Sequence, residues 1–397
     1  MIKNLFKLAT ATIIGQIATL VLMSTLFKMG YKDDIANFAL LIAFLAIITP
    51  ISTLRLDIAF IVDIDKKPIT DYVIIAILFT LLIIMPSLFY LAEILSSKYI
   101  EDIRLVPAFS FLIMCNLGVL FSQAYLNRSG EFGKISTLYV VQPLIQCGSA
   151  ITLAMLQVNN LLIYSLILSQ LCICMLTLSW GFKSFSFSNL EIFTTLKKNW
   201  RYPILSAPGA VMNGYQMGLP IIYATQYFSP SNVAVYYLLQ KFISSPMGIL
   251  SNAAYNISTH ELLGKSKLQT LRYLLGYCGF MIFIILLSVF FFYVIPESTV
   301  SAILEIDYAN KYVVMIFTIS IIIRSIASPL SAVIPICGAI HIEFIWKLIA
   351  FILTYFCLFE FAVISSFNDF LFVISILDIL LYSALILLSV YSIYTRD

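Results

Sequence analysis

Long apolar stretches alternate with short polar segments along the whole chain of 397 residues. Each stretch is about 20 residues long, enough for a helix to cross a hydrocarbon core of about 30 Å. Gly, Pro and charged residues cluster between the stretches, as they do where helices end. The pattern predicts an all-α integral membrane protein with twelve transmembrane helices, at Leu8–Leu26, Ala36–Val62, Tyr72–Leu95, Val106–Leu126, Ile135–Leu156, Leu161–Trp180, Tyr202–Phe228, Val233–Ser258, Leu271–Ile295, Tyr312–Pro335, Phe344–Ile364 and Phe370–Tyr391.

The composition excludes a soluble fold. Hydrophobic residues make up 61% of the chain and charged residues 11%, against roughly 45–50% and about 25% in soluble domains. A formal net charge of +3 is too small to indicate a nucleic-acid partner. The seven cysteines all lie in apolar stretches, which favours packing roles over disulfides or metal ligation. We therefore expect no cofactor, no metal site and, without a phosphate-binding Gly-x-x-x-x-Gly-Lys-Ser/Thr loop, no direct use of ATP.

Lysine and arginine are distributed unevenly between the loops on the two sides of the predicted bundle. With the N-terminus assigned to the cytoplasm, fifteen of the 23 fall in cytoplasmic loops, five in outer loops and three within predicted helices. Loops rich in Lys and Arg remain in the cytoplasm. Both termini are therefore predicted to be cytoplasmic.

A polar interruption at Gly181–Arg201 divides the predicted helices into two sets of six. The sequence thus predicts an N-terminal lobe at 1–180, a cytoplasmic linker at 181–201 and a C-terminal lobe at 202–397. Within the linker, Phe193, Leu196 and Trp200 recur at helical spacing beside two lysines. This spacing is typical of a short amphipathic helix on the membrane surface, although an ordinary hydrophilic linker explains it equally well. Two parallel six-helix repeats would place a cavity where the repeats meet, as in many transporters.

Five charged residues fall within the predicted spans: Arg55, Asp57, Lys241, Arg324 and Asp378. A charge at such a position costs roughly 2.5–3.5 kcal/mol on insertion scales, so it usually faces protein or water rather than lipid. Three cations against two carboxylates leave an excess of about one positive charge. An anionic substrate, in particular one that carries phosphate, would favour such a site.

Each of these charges has a second explanation. Lys241 and Arg324 either line a substrate cavity or form structural ion pairs, for instance with Asp378. Arg55, beside Pro50, either faces the cavity or extends its side chain to the cytoplasmic interface. Asp57 is two residues from Arg55, so on one continuous helix the two would point to opposite faces. Asp378 either neutralises a cation or titrates and couples transport to an ion, and we favour neutralisation.

Four passages carry a resemblance to a known family: Leu8–Gln16, Leu54–Ala59, Asn127–Phe132 and the segment from Arg201 to Gln240. On these residues the chain resembles a Wzx-type O-antigen or polysaccharide flippase of the multidrug/oligosaccharidyl-lipid/polysaccharide (MOP) exporter superfamily. The resemblance implies twelve helices in two lobes and a location in the bacterial inner membrane. Related flippases for lipid-linked peptidoglycan precursors place cations of their second and eighth helices in the cavity, which corresponds to Arg55 and Lys241.

The resemblance also implies the cargo, an oligosaccharide linked to undecaprenyl pyrophosphate that moves from the cytoplasmic to the periplasmic leaflet by alternating access. A polysaccharide polymerase and a chain-length regulator are the implied protein partners. Two alternatives remain. A polymerase- or ligase-type membrane enzyme would carry a large outer loop, but the longest predicted outer segments, Pro296–Lys311 and Ser96–Leu105, are short. A drug or cation antiporter would need carboxylates in its cavity without so many cations.

Overall fold

The computed structural model describes residues 2–62, 69–84, 86, 105–181, 191–261, 267–294, 311–331, 334, 340–361 and 364–394. Throughout these residues the regular structure is helical. Short π-helical turns occur at Thr80–Ile84, Tyr202–Ser206 and Cys357–Phe361. The α-helices are α1 Ile2–Lys28, α2 Lys32–Thr53, α3 Leu56–Val62, α4 Ile69–Phe79, α5 Leu105–Arg128, α6 Phe132–Met155, α7 Leu161–Gly181, α8 Ile192–Lys198, α9 Ala207–Tyr227, α10 Pro230–Glu261, α11 Lys267–Val294, α12 Lys311–Ser331, α13 Ile340–Phe356 and α14 Phe367–Tyr394.

Seven of the described helices are long and apolar enough to cross a membrane, so the structure agrees with an all-α membrane protein. The count of twelve spans and the side of the membrane on which the termini lie stay predictions. Most of the outer segments at 96–105 and 296–311 lies outside the described residues, as does the end of the third predicted span. The seven helices are Thr10–Lys28, Lys32–Thr53, Phe109–Arg128, Phe132–Met155, Leu161–Trp180, Ile342–Glu360 and Phe367–Ser392.

The second predicted span is not one continuous helix. The chain leaves the helical path at Leu54 and Arg55, whose φ angles are +50° and +56°. Left-handed residues of this kind end helices, and here the Arg55 amide donates to Thr53 Oγ1 at 3.2 Å. The prediction that Arg55 and Asp57 point to opposite faces of one helix is therefore wrong, because Arg55 lies in a turn and Asp57 in the first turn of α3.

The chain forms two compact units. The first comprises Met1–Thr25 and Leu40–Gly218. Its core includes Leu56, Tyr72 and Phe121, each at most 1% exposed. Polar contacts support this core, because Asn116 of α5 donates to Thr49 of α2 at 3.0 Å and Arg128 of α5 donates to the Phe60 carbonyl at 3.1 Å.

The second unit comprises Leu26–Ala39 and Leu219–Asp397. Its central helix is α12, which packs against α10, α11 and α14. The indole of Trp346 donates to the Leu381 carbonyl at 3.2 Å and joins α13 to α14. A cluster of packed aromatic rings lies in this unit, formed by Tyr223, Phe228, Tyr236, Phe317, Phe367 and Phe370.

The linker contains the short helix α8, and the part of the linker at 182–190 lies outside the described residues. Phe193, Leu196 and Trp200, which the sequence predicted on one face of a short amphipathic helix, have different environments. Leu196 packs against the core of the first unit. Phe193 and Trp200 are 83% and 47% exposed. Of these three residues, only Leu196 is packed against the described core of the first unit.

Candidate functional site

Arg324 and Asp378 face each other in the second unit. The Arg324 Nη1 atom lies 4.0 Å from Asp378 Oδ2, and the two side chains are 24% and 17% exposed. The guanidinium carbon also lies 5.9 Å from the centre of the Tyr382 ring. Asp378 and Tyr382 are four residues apart on α14 and so share a helix face. One face of α14 thus holds the guanidinium through both a carboxylate and an aromatic ring.

This pair lies well inside its helices, several turns from where each helix begins. At 1.5 Å per residue, Arg324 is about 20 Å along α12 from Lys311, and Asp378 is about 16 Å along α14 from Phe367. The separation of 4.0 Å exceeds hydrogen-bond length. A guanidinium has five N–H donors, and in the described part of the chain none of those of Arg324 forms a hydrogen bond. The group is therefore equipped to bind an oxyanion.

Lys241 lies on α10, which packs against the helix of Arg324. Its ammonium group is 5.5 Å from the centre of the Tyr237 ring, one helical turn earlier. Among the described residues no carboxylate lies within 4.0 Å of it. The preceding run 233–239 is buried at every position. Lys241 therefore lies two residues beyond a fully buried part of α10, with an aromatic ring as its neighbour and no balancing carboxylate among the described residues.

Tyr236 joins the helix of Lys241 to the helix of Arg324. It is 3% exposed, and its ring centre lies 5.7 Å from that of Phe317 on α12. Lys241 is five residues further along α10, about 7.5 Å in helical rise. The two cations and one carboxylate thus lie on three helices of the second unit, of which α12 packs against both α10 and α14.

Arg55 and Asp57 belong to the first unit and do not pair with each other among the described contacts. The Arg55 Nε and Asp57 Oδ1 atoms are buried and have no hydrogen-bond partner. Two consecutive left-handed residues without glycine cost roughly 1–3 kcal/mol each. Arg55 is thus a partly buried cation on a strained turn, with hydrogen-bonding capacity that the described structure does not use.

Sequence reasoning missed several polar residues. Asp71 is 1% exposed and accepts a hydrogen bond from Thr195 at 3.2 Å; it escaped notice because it lies just before a predicted span. Gln216 is 4% exposed, and among the described residues neither its amide nitrogen nor its amide oxygen has a hydrogen-bond partner. The position of the Gln216 amide within an apolar stretch could have indicated a functional or structural role. The spacing of Tyr382 from Asp378 would have predicted their shared face.

Within the described residues, no group of three or more His, Cys, Asp or Glu side chains could hold a metal ion. The site therefore offers cationic donors, one carboxylate and aromatic rings, a set that suits binding of an organic anion.

Comparison with known proteins adds evidence on the fold. No family model and no curated protein matches the chain. A MATE structure in complex with MaD5 has a TM-score of 0.64 and 12% identity, over 99% of this chain and 96% of that one. An outward-facing multidrug resistance MATE family transporter of the MOP superfamily has a TM-score of 0.59 and 13% identity, over 100% and 97%. A MOP superfamily transporter from Pyrococcus furiosus has a TM-score of 0.50 and 14% identity, over 99% and 96%.

These likenesses extend over essentially the whole length of both chains in each comparison. The chain therefore has the fold of the MATE transporters of the MOP superfamily. At 12–14% identity the likeness concerns the fold alone.

Proposed function

We propose that the chain is a MOP-type transporter, not an enzyme, and that its cargo is an oligosaccharide on a lipid pyrophosphate. In this proposal the cargo moves from the cytoplasmic to the periplasmic leaflet of the bacterial inner membrane by alternating access. The observation that supports it best is that α10 and α12 each carry a cation, Lys241 and Arg324. Lys241 has no carboxylate partner among the described residues, and Arg324 keeps unused donors.

The charges explain why an anion fits this site better than a cation. Asp378 faces Arg324, so among Lys241, Arg324 and Asp378 it offsets one of the two positive charges and leaves the other in excess. Burying an unpaired cation within a membrane helix is costly. A pyrophosphate would lower that cost by supplying charged acceptors to both side chains. Arg55 in the first unit would add a third cation along the path of the cargo.

A drug or cation antiporter is the second candidate, favoured by the multidrug transporters that share the fold. A cationic drug needs an available carboxylate, whereas Asp378 already faces a guanidinium. The fold is also compatible with a different polarity. The Pyrococcus furiosus neighbour is described as having a binding pocket of reverse polarity that suggests a different function.

A strain that lacks the gene for this protein tests the proposal. Lys241→Ala, Arg324→Ala and Arg55→Ala would be returned to it one at a time, and the leaflet position of the lipid-linked precursor would be followed together with surface polysaccharide. We expect normal expression and a precursor stranded on the cytoplasmic side. Lys347→Ala is the matched control, because Lys347 pairs with Glu343 at 2.6 Å on its own helix.

Three other outcomes would contradict the proposal. Precursor that crosses normally while polymer is missing would indicate a polymerase-type enzyme. Normal polysaccharide together with greater sensitivity to cationic drugs would indicate the antiporter. Loss of transport in Lys347→Ala to the same degree would show that the effect does not depend on the cations of α10 and α12. The polymerase and the chain-length regulator are proposed as partners on the family resemblance alone.

A further inference from the structure

The short helix α8 is fixed to the first unit by buried polar contacts. The Thr195 hydroxyl, which is 0% exposed, donates to Asp71 Oδ2 at 3.2 Å. The Asn199 amide, which is 7% exposed, donates to the Tyr72 hydroxyl at 3.3 Å. The first contact joins the inward face of α8 to α4, and the second joins the residue directly after α8 to α4. Because two buried hydrogen bonds one turn apart fix the helix rotation, the outward face of α8 is fixed as well.

The contacts of α8 also place it along a span. Ile192 and Leu196 pack against a core cluster that includes Ile69, Tyr72 and Phe121. Ile69 and Tyr72 lie in the first turn of α4, at the start of the third predicted span. Helix α8 therefore lies beside the end of a predicted span, near the depth at which amphipathic helices enter the headgroup region.

The outward face of α8 and the residues that follow it are aromatic and basic. Phe193 is 83% exposed and Trp200 is 47% exposed. Lys197, Lys198 and Arg201 are exposed as well. The Arg201 guanidinium carbon lies 5.9 Å from the centre of the Trp200 ring. Large exposed aromatic rings beside several cations are typical of segments that lie in a lipid interface.

We infer that the surface formed by Phe193, Lys197, Lys198, Trp200 and Arg201 binds anionic phospholipid headgroups of the adjacent leaflet. The aromatic rings enter the boundary between headgroups and acyl chains, and the three cations contact lipid phosphates. Charge complementarity selects anionic over zwitterionic lipid, by about fivefold for each cation that reaches the headgroups. An acidic protein is the rival occupant, but a protein partner would not require the exposed rings to lie at the depth of a span's end.

Lipid quenching of Trp200 fluorescence tests this inference on the full-length protein. The chain has three tryptophans, so Trp180→Phe and Trp346→Phe leave Trp200 as the reporter. The protein would be reconstituted in phosphatidylcholine with increasing amounts of brominated phosphatidylglycerol, and separately of brominated phosphatidylcholine. The measured quantity is the binding constant of the anionic lipid relative to the zwitterionic lipid around Trp200. We expect a ratio well above one, on the order of a hundred if all three cations act together.

The variant Lys197→Gln/Lys198→Gln/Arg201→Gln is expected to lower that ratio to about one. Lys28→Gln/Lys32→Gln, which removes cations from the turn between α1 and α2, is the matched control and should leave the ratio unchanged. A ratio near one in the parent protein, or a triple variant without effect, would overturn the inference. If the tryptophan substitutions prevent folding, hydrogen exchange of residues 191–201 in the parent protein gives the same test. Protection equal in zwitterionic and anionic vesicles would then contradict the inference and favour a protein partner.

Discussion

Gly15 of α1 lies so close to Pro143 of α6 that a Cβ atom on Gly15 would be 2.9 Å from Pro143 Cγ and would overlap the carbonyl oxygen of Tyr139. Pro143 has no N–H group, so it cannot donate the usual helical hydrogen bond to the carbonyl of Tyr139, four residues earlier. The backbone of α1 fills the space beside that carbonyl, where a weak Cα–H···O contact is available.

The same arrangement occurs at a second place in the first unit. Pro50 of α2 leaves the carbonyl of Ala46 without its usual helical donor, and a Cβ on Gly214 of α9 would lie 2.5 Å from that oxygen. Gly218, one turn further on, faces Ala43. In both cases a helical proline is paired with a glycine on the neighbouring helix, and close backbone packing follows.

Replacement of either glycine by alanine should therefore destabilise the protein. The added methyl group meets backbone atoms, which cannot move aside as a side-chain end can, and overpacking of this kind costs about 1–3 kcal/mol. Thermal unfolding of Gly15→Ala and Gly214→Ala in detergent is the measurement. Gly148→Ala on α6 is the control, because nothing lies within 4 Å of its Cβ position, and it should be neutral or slightly stabilising. Equal melting temperatures for all three variants would contradict the packing argument.

Gln216→Leu should stabilise the fold. The Gln216 amide is buried without a partner, and an unsatisfied buried polar group costs about 1–3 kcal/mol. A leucine of similar size removes that cost. The control is Gln226→Leu at an exposed position of the same helix, which should leave the melting temperature nearly unchanged. A lower melting temperature for Gln216→Leu would show that the amide has a structural partner. A higher melting temperature with lost transport would instead mark the amide as a cargo contact.

The Arg324–Asp378 pair should behave as a coupled unit. Removing either charge alone leaves the other charge without its partner and should cost about 2 kcal/mol, between the values for exposed and buried pairs. The double variant Arg324→Met/Asp378→Leu should regain most of that stability and still fail to transport. Thermal unfolding of the two single variants and the double variant measures the coupling. Additive losses would show that the two charges do not interact.

Arg55 allows backbone strain to be separated from charge. Both Arg55→Ala and Arg55→Gly remove the cation, but only glycine adopts a φ of +56° without strain. We expect Arg55→Gly to be more stable than Arg55→Ala by about 1 kcal/mol, with transport lost equally in both. Better transport in Arg55→Gly than in Arg55→Ala would show that the turn, and not the cation, is what the protein needs at this position.

Among the described residues, most helices lie where the sequence predicted them, because apolar length and loop polarity are one-dimensional properties. It did not predict the break at Leu54 and Arg55, since neither residue type favours a left-handed conformation. It named Asp378 as a partner for Arg324 but offered no way to choose that pairing over a cavity role. The burial of Asp71 and the outward position of Trp200 depend on how α8 docks, which residue spacing does not determine.

The most direct test of the central claim is a binding measurement on the purified protein in lipid nanodiscs. Undecaprenyl pyrophosphate, uncharged undecaprenol and a cationic dye would be compared for the parent protein, Lys241→Ala and the control Lys347→Ala. The account predicts that the pyrophosphate binds at least tenfold more tightly than undecaprenol, and that this preference falls sharply in Lys241→Ala only. Tight binding of the cationic dye, with no preference for the pyrophosphate over undecaprenol, would contradict an anionic cargo.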